Sequence, residues 1–100
     1  MLCHSVFFTL RDRSDAAKKA LVAGCHEHLT GHPGTVAFHV GTVADYDRQV
    51  NDREFDVALH IVFESHAAHD TYQSAPRHET FIAEHATTWA KVRVFDADLR

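Results

Sequence analysis

One hundred residues, 45% of them hydrophobic and 24% charged, describe a single domain over residues 1–100 with room for one modest core. A formal charge of −4, with no basic cluster larger than Lys18-Lys19, argues against a nucleic-acid surface. No apolar run is long enough to span a membrane, and Met1–Leu10 has no basic start of the kind a signal peptide carries.

Cys3–Leu10 (CHSVFFTL) is aromatic and β-favouring and predicts strand one. Ser14 is a good N-cap with Asp15 behind it, and Ala17, Leu21, Gly24, Cys25 and His28 follow at helical spacing. Gly31 and Pro33 end that helix. Thr35–Val43 alternates Val36, Phe38 and Val40 with Ala37, His39 and Gly41, as a strand does. Residues 44–54 are a polar connection, long for a hairpin, and are expected to form a lid or rim. Phe55–Glu64 predicts strand three. Ser65 caps a short helix that Pro76 stops, a second helix is expected over Arg77–Thr88, and Lys91–Ala97 is strand four.

The order is βαββα(α)β, an α+β chain of ferredoxin-like pattern with helices on one face of a four-stranded antiparallel sheet. Strand three is apolar on both faces, at Val57, Ala58, Leu59, Ile61, Val62 and Phe63, and strand one repeats this at Val6-Phe7-Phe8. Helices can cover one face only. A homodimer, sheet against sheet, is therefore expected to cover the other. Cys3 and Cys25 lack metal-ligand spacing and read as reduced thiols, which points to the cytoplasm.

An ordered set of residues resembles a known family, the stress-responsive α/β-barrel (Dabb) domain. It comprises His4 with Val6-Phe7-Phe8, Pro33-Gly34, Phe38-His39-Val40-Gly41, Phe55-Asp56-Val57-Ala58-Leu59 and Phe63-Glu64. It continues through Tyr72, Pro76, His78, Phe81, Trp89 and Val94-Phe95-Asp96. The resemblance implies a dimeric α+β barrel. The family includes a polyketide cyclase that closes an aromatic ring by aldol condensation, and its catalytic histidine and tyrosine correspond to His78 and Tyr72, with His4 near the pocket. Two departures change the pocket. The family's HPxH reads Ala75-Pro76-Arg77-His78, and its helix-one tyrosine is replaced near Cys25 or His26. The same substrate is not expected.

Chemistry at Tyr72 and His78 follows from residue type. A neutral imidazole at a helix start can take an acidic proton, while a phenol donates to the carbonyl oxygen as charge develops, a donor worth ~3 kcal/mol. The structural alternative is that His78 locks the Pro76 junction and Tyr72 is a core ring with its hydroxyl at the surface. His4 is either a third polar group of the site or a satisfied core histidine. The apolar wall is expected from Val6, Phe8, Leu21, Leu59, Ile61, Phe81, Ile82 and Trp89, enclosing a small hydrophobic, phenolic or polyketide-like ligand. No cofactor is expected, since base and donor are both side chains. No metal site is expected either: His26 and His28 diverge, and His66 and His69 lack a completing carboxylate. If the chain is an enzyme, it is a cofactor-free cyclase or lyase; the alternative is a non-catalytic stress-response scaffold.

Overall fold

The computed structural model describes all of residues 1–100. Its elements are β1 (Leu2–Leu10), α1 (Asp15–Leu29), β2 (Thr35–Thr42), β3 (Val57–Phe63), α2 (His66–Ser74), α3 (Pro76–His85), a 3-10 turn (Ala86–Thr88) and β4 (Trp89–Asp98). They build the expected four-stranded antiparallel sheet, in the order β2-β3-β1-β4. The helices lie on one face.

Local chemistry sets the boundaries. Ser14 Oγ accepts from Ala17 N and Ser65 Oγ from Ala68 N, so both caps work as read. Gly31 and Gly34 take positive φ, 71° and 82°, to reverse the chain between α1 and β2. Pro76 opens α3 rather than preceding it, because a first-turn residue has no helical use for an N–H. α3 stops at His85, earlier than expected, and after the 3-10 turn β4 begins at Trp89, two residues before the expected start.

The alternation expected in strand two breaks at Val36. A bulge falls between Thr35 and Ala37, so Val36 is left exposed and out of phase with Phe38 and Val40. Along β3 the odd residues Val57, Leu59, Ile61 and Phe63 are buried under the helices, whereas Ala58, His60 and Val62 look out from the other face. On that outer face the Phe7 ring meets Phe55 at 5.1 Å and Phe95 at 5.7 Å between centroids. Phe95 is 55% exposed.

One buried charge organises the end of the sheet. Asp56 accepts from Leu10 N at 2.8 Å and from Arg13 Nε at 3.1 Å, with Lys18 Nζ at 4.0 Å. Its own N–H donates to Phe8 O. The long connection, without helix or strand from Val43 to Asp56, crosses this side of the molecule: Arg93 Nη1 holds Asp52 at 2.8 Å beside Phe55. It is not a lid over the cavity described below, since none of its residues lines that cavity.

Candidate active site

His4, Tyr72 and His78 converge. His4 is the polar member of the β1 face that otherwise presents Leu2, Val6, Phe8 and Leu10 to the helices, and it is 4% exposed. Tyr72 sits in the last turn of α2 and His78 in the first turn of α3, with the Ala75–Pro76 junction turning the chain between them. The Tyr72 and His78 rings meet edge-on, centroids 4.8 Å apart at 71°, and the His4 ring lies 6.0 Å from Tyr72. Arg77, in place of the motif's variable residue, points elsewhere. Its guanidinium donates to Glu27 O at 2.7 Å and Thr30 O at 2.8 Å, satisfying carbonyls at the end of α1 and pinning the start of α3.

The three groups line an open cavity of about 400 Å³ between sheet and helices. Val6, Phe8, Leu59, Phe81, Ile82 and Trp89 are in its wall. Leu21 and Ile61 are not. Both are sealed in the core, and Leu21 sits instead behind a different depression near Leu10 and Thr87. On α1 it is Leu29, two turns further along, that reaches the cavity.

Three polar residues of the wall were missed: His69, Gln73 and Asp96. His69 lies three residues before Tyr72, a spacing that puts them on one helix face and could have been read. Its ring centroid is 4.9 Å from that of His4. Asp96 had no local signal. It stands directly opposite His4 in the β1–β4 ladder, and its Oδ1 is 2.5 Å from His4 Nδ1. His66 does not join His69; it turns to Asp98.

Burial and neighbours set the protonation states. Burial lowers the His4 pKa, and the Asp96 carboxylate offsets only part of that. Neutral His4 then donates Nδ1–H to Asp96 and keeps Nε2 as its basic atom. Burial, with the imidazoles of His4, His32 and His69 around it, also lowers the His78 pKa, against a weaker pull from Glu79. His78 is thus a neutral base at physiological pH. Burial pushes the Tyr72 phenol well above its usual range, with the Cys25 thiol adding to it, so Tyr72 is a donor and not a phenolate. Cys25 is itself pushed up to about 12 by burial and is no nucleophile. The Trp89 indole N–H is buried without a partner, a second donor held in the wall.

The match to a family model decides the kinship: the stress responsive A/B barrel domain aligns with residues 2–99. The chain belongs to this family. Solved structures agree in fold. A protein of Arabidopsis thaliana superposes with a TM-score of 0.82 at 22% identity, covering 100% of this chain and 96% of that one. A dimeric ferredoxin-like protein of unknown function from Thermobifida fusca gives 0.79 at 16%, covering 98% and 90%. A hydroxynitrile lyase from Passiflora edulis gives 0.78 at 22%, covering 99% and 93%. At such identities the likeness is one of fold. No curated protein matches the chain. No helix is long and apolar enough to cross a membrane.

Proposed function

We propose that this family member binds a small hydrophobic carbonyl or phenolic compound in the cavity and moves a proton on it without a cofactor. The observation that carries this is the placement of the Tyr72 phenol edge-on to neutral His78 in the wall of a cavity of about 400 Å³. The volume suits a drug-sized ligand, and the lining is mostly apolar with a few convergent polar groups. His78 removes an acidic proton beside a carbonyl, Tyr72 donates to the oxygen as it gains charge, and His4, oriented by Asp96, is a second base for relaying the proton. Ring closure of a polyketide-like chain and lyase cleavage both fit this set; the hydroxynitrile lyase of the same fold is in keeping with the second.

A homodimer is part of the proposal. Phe7, Phe55 and Phe95 form an aromatic cluster on the sheet face that no helix covers, and the Thermobifida fusca relative is described as dimeric. The two free thiols suit a reducing compartment such as the cytoplasm.

The test is a thermal-shift screen with phenols and β-polyketones on wild type, His78→Ala and Tyr72→Phe. A stabilising ligand whose effect is reduced in both variants supports the site. A ligand effect equal in all three proteins removes the pair from the function and leaves the scaffold reading.

A further inference from the structure

We infer that His4, His69 and Asp96 form a binding site for a divalent transition cation of the zinc type. Each offers one ligand atom, and the three atoms lie within 4.8 Å of one another. Two imidazoles and a carboxylate are the donor set that zinc, cobalt and nickel prefer over calcium or magnesium.

The three come from different elements but are held in place. His4 and Asp96 are cross-strand partners of β1 and β4, so the sheet fixes their separation. His69 reaches down from α2, with its ring packed against His4 at 4.9 Å and against Phe63 at 5.6 Å. Metal–nitrogen bonds of about 2.0–2.1 Å place neighbouring ligand atoms roughly 3.3 Å apart in a tetrahedron, so the set closes around an ion by small side-chain rotations. The ion takes the place of the proton between His4 Nδ1 and Asp96 Oδ1, now 2.5 Å apart, and spreads them.

An outer carboxylate is already present. Asp70 Oδ1 is 3.4 Å from His69 Nδ1, close enough to become an outer partner of that nitrogen while Nε2 takes the ion. The Gln73 amide, 3.1 Å from that Nε2, swings away. All three residues line the cavity, so a fourth position would open onto it. The other cluster of ligand-type side chains, Glu27, His28 and Glu84, is a poorer candidate: its carboxylates are 71% and 53% exposed and solvated.

Cation binding does not depend on turnover. Its consequence rests on the acid–base reading: a bound ion occupies His4 and Asp96 and removes them from proton relay, so zinc is an inhibitor of that chemistry.

The experiment is a Co²⁺ titration of EDTA-stripped protein, read by visible ligand-field absorbance and by Zn²⁺ displacement. One equivalent per chain is expected, with affinity falling about 10-fold or more in His69→Gln and Asp96→Asn and unchanged in His28→Gln. Far-ultraviolet circular dichroism of the variants confirms that they fold. Absence of saturable binding overturns the inference. So does binding that survives both His69→Gln and Asp96→Asn, or binding lost in His28→Gln. A phenolic thermal shift in EDTA-treated wild type reports on the acid–base reading alone, so the two ideas fail separately.

Discussion

His4 Nδ1 and Asp96 Oδ1 stand 2.5 Å apart across paired strands, joining the two ends of the chain at the cavity wall. The carboxylate raises the pKa of His4 while burial lowers it, and burial is the larger effect. Asp96→Asn removes the raising influence. The His4 imidazole should therefore titrate at still lower pH in that variant, measured by its ring-proton chemical shifts from pH 8 to 4. An upward movement would contradict the assignment of the pair.

Acid should weaken the fold. Both His4 and His78 titrate below their ordinary 6.5 when folded. Between the folded and unfolded values the unfolded chain binds protons that the folded chain refuses, so stability falls as pH drops through 6.5 toward the folded values. Above that range the contribution is complete. The melting temperature of wild type is expected to decline from pH 7 to 5, with a shallower decline in His78→Gln. A wild-type midpoint that rises on acidification would refute the sign.

Tyr72 separates packing from binding. Its ring is buried against Phe63, His32 and His78, but its hydroxyl has no partner within the chain. Tyr72→Phe is expected to leave urea stability within ~0.5 kcal/mol of wild type. Tyr72→Ala should cost ~3–5 kcal/mol through the cavity it leaves. For a ligand found by thermal shift, Tyr72→Phe should weaken affinity about 5–10-fold, the worth of one lost hydrogen bond.

Asp56 is a structural acid and not a catalytic one. Asp56→Ala strands the Leu10 N–H and leaves Arg13 and Lys18 without their carboxylate, and is expected to cost about 2–3 kcal/mol by urea denaturation. Asp56→Asn keeps an acceptor for Leu10 and should cost less.

The aromatic outer face predicts its own test. Phe7→Glu introduces a charge between Phe55 and Phe95 and should convert a dimer to monomer in sedimentation velocity, with the far-ultraviolet spectrum retained. An unchanged dimer would move the interface elsewhere.

Much of the architecture was legible because its signals are local. Ser14 and Ser65 cap helices through bonds to residues three positions on, and Pro76 divides α2 from α3 by its own geometry. The element order put the helices on one face of the sheet, and β3 buries Val57, Leu59, Ile61 and Phe63 on that face. Errors fell where the next residue's backbone, not its side chain, decided. Val36 lost its phase to a bulge, and the last residues expected in the helix, Ala86–Thr88, formed a 3-10 turn.

The chain's own pattern therefore determined the element order, the family through an ordered set of residues along its length, and the position of Tyr72 and His78 on either side of one proline; how their rings meet was decided by the packing of α2 against α3. Only the tertiary structure decided the rest of the site. Asp96 meets His4 because the β1–β4 register aligns them, Leu21 and Ile61 leave the wall because the core closes over them, and burial holds Tyr72 protonated. Register, closure and desolvation are properties of packed elements, and no segment read alone contains them.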